Sequence, residues 1–183
     1  MSYPLEGSTN IYTEDENGNP IYYFDIIDQI YDTLIENNLI PYIEFNFMPY
    51  DLVPKQYQSD YEISGWKYPP KDYQKWYNLI QAFINHLSER YGKQIENWFF
   101  EVWNEPNITN YWLGTLDDYC KLYDYSVEAV KSINQNLKIG GPATTDSGEQ
   151  FLDQFLQHVT TGINYVTQKI GTQIDFISFH SKG

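Results

Sequence analysis

The side chain best placed to do chemistry is Glu105, in the stretch Asn97-Trp98-Phe99-Phe100-Glu101-Val102-Trp103-Asn104-Glu105-Pro106-Asn107. Residues 98–103 are apolar and β-prone, the pattern of a strand buried on both faces of a parallel sheet. Pro106 stops that strand, because proline has no N–H to give to a ladder. Glu105 therefore stands at the carboxyl end of a buried strand, beside the amide of Asn104 and ahead of a loop. In barrels and open α/β folds, ligands bind and reactions occur at that end. A carboxyl group walled there by Trp103 and other aromatics is desolvated, which disfavours its charged form and suits a general acid at neutral pH. The competing reading is a rim glutamate bonded to a neighbouring basic side chain.

Other polar side chains stand at strand ends too: Asn46 near one and His180 at the last. Their convergence on one face of a parallel sheet is what an active site on such a scaffold requires. Trp66, Tyr68, Tyr111 and Trp112 fall in loops after strands and could stack on a sugar ring, although a single aromatic more often serves packing. Glu101 shares a face with Glu105, but four residues of strand span roughly 13 Å. A glycosidase carboxylate pair needs roughly 5 to 9.5 Å, so Glu101 is no partner for Glu105. Glu44, mid-strand, reads as a buried, hydrogen-bonded structural acid.

His86 and His158 lie within helices, lack metal-ligand spacing and read as structural. Gly140-Gly141 lacks the spacing of a phosphate loop. Asn107-Ile108-Thr109 fits a glycosylation sequon, but a glycan there would block the site. The single cysteine, Cys120, excludes an intrachain disulfide and reads as a small core or interface residue. No metal and no cofactor is expected.

The elements that must position these residues follow from periodicity. Asn17-Gly18 marks a hairpin turn, with Pro20 weakening the returning strand. Residues 24–38 repeat apolar side chains (Phe24, Ile27, Ile30, Tyr31, Leu34, Ile35) at helical spacing. Residues 41–49 form a short strand between prolines. Residues 71–91 form an amphipathic helix after Pro69-Pro70, ended by Gly92. Thr115 caps a helix with acidic residues in its first turn, running to about Asn134. Residues 137–142 are a brief strand, and Ser147-Gly148-Glu149-Gln150 reads as a capping box opening a helix to about Val159. Residues 174–180 are another buried strand. Helix and strand alternate throughout, which implies right-handed βαβ units and a parallel sheet in one domain, residues 1–183.

Bulk properties narrow the partners. A formal net charge of −14 argues against nucleic acid and against an anionic membrane surface, leaving neutral ligands such as sugars open. Aromatic residues make up 18%, including 18 Tyr and 5 Trp, a composition that suits binding surfaces as well as cores. No run reaches the length of a membrane span, and the start at Met1 does not read as a signal peptide.

Phe100-Glu101-Val102-Trp103-Asn104-Glu105-Pro106-Asn107 resembles the acid/base segment of glycoside hydrolase family 39, the β-xylosidase and α-L-iduronidase family. The likeness continues in Pro41-Tyr42-Ile43-Glu44-Phe45-Asn46-Phe47-Met48-Pro49, Tyr68-Pro69-Pro70-Lys71-Asp72-Tyr73, Gly140-Gly141-Pro142-Ala143 and residues 174–183. It implies a parallel (β/α)8 TIM barrel and a retaining mechanism. Glu105 maps onto the general acid/base, Asn104 onto the amide near the sugar 2-hydroxyl, and His180 onto a pocket position at the sixth strand. Lys182 maps onto a lysine associated with a substrate carboxylate, so a neutral pentoside and a uronide are both implied substrates. The family nucleophile is a glutamate ending the seventh strand. Only the third to sixth strands align here, against about 250 residues for a barrel, so the nucleophile is expected outside this chain. The isolated piece is then expected to be inactive, with two strand edges open to aggregation. The alternative is a carbohydrate-binding relative that has lost catalysis, in which Glu105 and the aromatics only hold a sugar.

Overall fold

The computed structural model describes residues 11–181. A short antiparallel hairpin, β1 (Tyr12–Glu14) with β2 (Pro20–Tyr22), opens this region. Its turn forms where Asn17-Gly18 marks it. The Asp15 carboxylate accepts from the backbone N–H groups of Asn17 and Asn19, both at 2.8 Å. Gly18 takes φ +77°, which costs a residue without Cβ little. Pro20 is tolerated because it opens its strand.

The main sheet is parallel and four-stranded, in the order β3 (Tyr42–Phe45), β4 (Phe99–Val102), β5 (Lys138–Thr144), β6 (Phe176–Phe179). Helices α1 (Asp25–Glu36), α2 (Tyr73–Tyr91), α3 (Leu116–Ile133) and α4 (Glu149–Thr161) alternate with these strands. The helix-side face of the sheet forms the core, where Ile43, Phe45, Phe100, Val102 and Ile139 meet Leu79, Phe83, Ile84 and Leu122. The opposite face, carrying Tyr42, Glu44, Glu101 and Ser178, is the lumen side of part of a barrel.

Local chemistry explains the helix limits. Asp72 caps α2 by accepting from the N–H groups of Gln74 and Lys75, so this helix begins two residues after its expected start at 71. Thr115 and Asp118 exchange the two bonds of a capping box at α3. The box expected at Ser147 does not form. Gly148 is the N-cap of α4, and Ser147 Oγ instead lies 3.0 Å from Thr145 Oγ1, drawn into the loop after β5.

Two further expectations need correction. Strand β6 is not buried: it is an edge strand, with Ile177 50% and Phe179 63% exposed on its outer face. Ile30, placed on the inner stripe of α1 by periodicity, is 52% exposed. Gly140 carries a tighter constraint, because a Cβ there would lie 2.2 Å from the Phe176 carbonyl oxygen. Only glycine lets β5 and β6 approach this closely.

Candidate active site

Strand β4 ends at Val102, and the chain then turns sharply. Trp103 (φ 70°) and Glu105 (φ 47°) both adopt the left-handed conformation, as does Ala143 (φ 52°) on the adjacent strand. Each costs a residue with a Cβ on the order of 1–3 kcal/mol and persists only where the surroundings over-determine it. They do so here. The Trp103 indole is fully buried, donates to the Tyr111 carbonyl at 3.0 Å and packs edge-on against Trp112. The Glu105 N–H donates to the Ala143 carbonyl at 3.0 Å, tying the turn to β5. The strain thus fixes the direction of one carboxyl group.

That carboxyl points to His180. Glu105 Oε1 and His180 Nδ1 are 2.7 Å apart, with the Glu105 side chain 8% and the His180 side chain 39% exposed. The His180 N–H donates to the Thr144 carbonyl at 2.7 Å, and the ladder slips register between Pro142 and Thr144, which brings the imidazole over the end of β5. A cleft of about 240 Å³ opens beside the pair, lined also by Ile108, Asn110, Tyr111, Thr145 and Asp146. The two loops that frame it are stapled together. Asn107 Nδ2 donates to Thr145 Oγ1 at 2.7 Å, and the Thr145 N–H donates to Asn107 Oδ1 at 3.0 Å.

The other sequence candidates divide. Asn104 is half-buried on the rim, between the two left-handed residues. Asn46 donates to Glu44 Oε2 at 3.0 Å, on the lumen side. Trp66 is half-buried and stands 4.2 Å from the Phe47 ring, and Phe47 stacks on Tyr111, so these rings form one wall leading to the cleft. Trp112 is not available to a sugar. It is 2% exposed, its indole N–H donates to the Thr115 carbonyl, and its ring is packed between Trp103 and Tyr119. Lys182 lies outside the described residues.

Glu44 departs from the buried acid expected of it. As a residue it is exposed on the lumen side, yet its carboxyl is hydrogen-bonded to Glu101. Desolvation first, and then Glu101, raise its pKa to about 6. Among the cleft residues, Ile108, Asn110, Thr145 and Asp146 carry no local signal in the sequence. Their signal is tertiary, since Asn107 and Thr145 meet across 38 positions.

A parallel four-stranded sheet with alternating helices, whose strand ends gather a buried glutamate, an imidazole and an aromatic wall around one cleft, is a portion of a (β/α)8 barrel. The sequence pattern of the glycosyl hydrolases family 39 matches residues 4–183, and the chain belongs to that family. A β-xylosidase of Geobacillus stearothermophilus is 37% identical over 97% of this chain and 34% of its own length. An α-L-iduronidase of Mus musculus is 28% identical over 89% of this chain and 25% of its own. Among solved structures, a monomeric β-xylosidase of Caulobacter crescentus superposes with TM-score 0.74 at 34% identity, covering 94% of this chain and 33% of that one. The chain thus spans about a third of the length of these β-xylosidases and a quarter of the iduronidase.

Proposed function

We propose that the full-length protein is a retaining exo-glycosidase of the β-xylosidase kind, with Glu105 as its general acid/base. The observation that carries this reading is the 2.7 Å contact of Glu105 with His180 at the mouth of the cleft. The imidazole occupies Oε1 and leaves Oε2 to hold the proton that faces substrate. In the first step a carboxylate attacks the anomeric carbon, the glycosidic C–O bond breaks, and the Glu105 proton passes to the leaving oxygen. In the second, the Glu105 carboxylate takes a proton from water, which attacks the same carbon and releases the sugar from its ester.

The nucleophile of a retaining pair sits about 5–5.5 Å from the acid/base. Glu101 lies a strand's length below and accepts from Tyr42, so the second carboxylate is assigned to a strand outside this chain. In this reading Asn104 faces the sugar 2-hydroxyl, and Tyr111 and Trp66 form the apolar wall. A xyloside is favoured over a uronide on two grounds. Identity is 37% and 36% to β-xylosidases against 28% and 29% to iduronidases. The cleft also carries a second carboxylate, Asp146, which repels a uronate.

The test is Glu105→Ala in the full-length protein. General acid–base help contributes roughly 10²–10⁴-fold, so hydrolysis of xylobiose falls by that order. Added azide restores turnover of an aryl xyloside with a good leaving group, because azide needs no general base. An unchanged rate, or a loss that azide does not relieve, overturns the assignment.

A further inference from the structure

The cleft beside Glu105 is built from two loops of this chain, after β4 and after β5, and each is held in one shape. In the first, the Ile108 N–H donates to the Glu105 carbonyl at 3.2 Å and the Tyr111 N–H to the Ile108 carbonyl at 3.1 Å. In the second, the Gly148 N–H donates to the Thr145 carbonyl at 2.9 Å, and a Cβ at position 148 would lie 2.6 Å from Thr144 Cβ. The paired bonds of Asn107 with Thr145 join the two loops, so the cleft is formed before anything enters it. Its polar groups differ in how they are used. Asn107 and Thr145 are consumed by the staple. Asn110 and Asp146 are exposed at the cleft, and among the described residues no hydrogen bond or ion pair engages either side chain.

The side of the bond that this cleft serves follows from Glu105 as acid/base, the reading on which the inference rests. The two carboxyls of a retaining pair flank the anomeric carbon. The sugar that becomes an ester lies toward the nucleophile, and the departing oxygen lies toward the acid. The second carboxylate is assigned to a strand outside this chain, whereas the cleft adjoins Glu105 and is walled by the loops of β4 and β5. The departing group therefore enters it. The lining suits a sugar ring, which has a C–H face and hydroxyl edges. Tyr111 and Ile108 offer apolar surface, the Asn110 amide both donates and accepts, and the Asp146 carboxylate accepts from hydroxyls. The volume, about 240 Å³, is below the roughly 300–1,000 Å³ of sites for drug-sized ligands, which fits a single ring.

We infer that the cleft is the leaving-group site, that it takes one neutral sugar unit, and that Asp146 is the residue that selects it. Hydrogen bonds to an ionised acceptor are about twice as strong as neutral ones. Asp146 therefore favours a leaving group with hydroxyls in reach over an aryl group, which has none to give. The same charge disfavours a leaving unit that carries a carboxylate. Asn110, in the opposite loop, adds a neutral contact to the same ring.

The experiment compares Asp146→Ala with the unsubstituted full-length protein on xylobiose and on a nitrophenyl xyloside. In the variant, kcat/KM for xylobiose falls about ten- to a hundredfold further than kcat/KM for the aryl xyloside, the size of a lost hydrogen bond to a charged group. Asp146→Asn, which keeps an acceptor, recovers part of the preference. A second measurement needs no variant: at low salt the unsubstituted protein cleaves the xyloside of a neutral sugar about tenfold or more faster than the xyloside of a uronic acid. A merely structural Asp146 would lower xylobiose and aryl xyloside alike. Equal loss on the two, a preference for xylobiose that the substitution does not move, or equal cleavage of the neutral and acidic leaving units overturns the inference. If Glu105→Ala abolishes turnover while Asp146→Ala moves both substrates together, the acid/base reading stands and the leaving-group site alone fails. Absence of turnover on either substrate in the unsubstituted protein, or full turnover in Glu105→Ala, overturns the acid/base reading and this inference with it.

Discussion

Two carboxylate–imidazole contacts, one on the helices and one at the strand ends, are built for different ends. Asp124 on α3 is fully buried and meets His158 of α4 at 3.0 and 3.1 Å. It also accepts from Thr172 Oγ1 at 2.6 Å and from the Tyr165 N–H at 2.8 Å, so both oxygens are fully engaged. The result is a clasp joining two helices to the connection that leads into β6. Glu105 and His180 make a contact of similar length, but only Oε1 is engaged and the pair lines an open cleft. What separates the proposed acid/base carboxyl from the structural one is unspent hydrogen-bonding capacity beside a void, held by a strained turn. The pairing alone does not distinguish them.

Substitutions can sharpen that contrast. Glu105→Gln keeps an acceptor for His180 and removes the proton. In the full-length protein, turnover of an unactivated xyloside should fall about a thousandfold, within the range for general acid catalysis, with the denaturation midpoint little changed. Asp124→Ala should do the reverse. Removing one partner of a buried pair costs about 3–5 kcal/mol, read by urea denaturation. A variant that kept its stability would dissolve the distinction.

Acidity separates the regions further. Glu44 has a raised pKa, so the stability it contributes is present below the ordinary glutamate range and is lost as pH rises through about 6. Glu14 and Asp175 behave oppositely. Burial works against their ionisation, but hydrogen bonds from Lys71, Lys75 and Tyr12 to the first, and from Lys131, the Ile139 N–H and Gln173 to the second, hold both pKa values below the ordinary range. Their contribution is present above the ordinary carboxylate range and is lost as pH falls through their depressed values. Glu44→Gln should therefore flatten the decline in stability toward pH 6 without altering the acid-side loss, a pattern that denaturation at several pH values resolves. The smallest effect is expected at Asp72→Ala, where loss of the α2 cap costs about 1 kcal/mol and leaves cleft and clasp untouched.

Much of the frame is legible in local pattern. The β-prone run from Trp98 marks β4, although the strand ends at Val102, ahead of Pro106, where Trp103 turns left-handed; Thr115 with Asp118 marks the start of α3, and the alternation of helical and strand periods implies a parallel sheet. Local pattern misleads where neighbours overrule it. Ser147 has the spacing of a capping box, but Thr145, pinned by Asn107, draws its hydroxyl away. Trp112 has the look of a sugar platform, but Trp103 and Tyr119 enclose it.

The sequence by itself determined that a glutamate follows a buried strand of a parallel α/β sheet, because strand period, proline and capping are properties of adjacent residues. Only the tertiary structure decided which groups that glutamate meets. His180 lies 75 positions away, and it reaches Glu105 through the register slip between β5 and β6 together with the left-handed turns at Trp103, Glu105 and Ala143. The contact of Glu44 with Glu101 likewise follows from strand register. Such contacts depend on how whole elements pack, and no window of sequence contains that information.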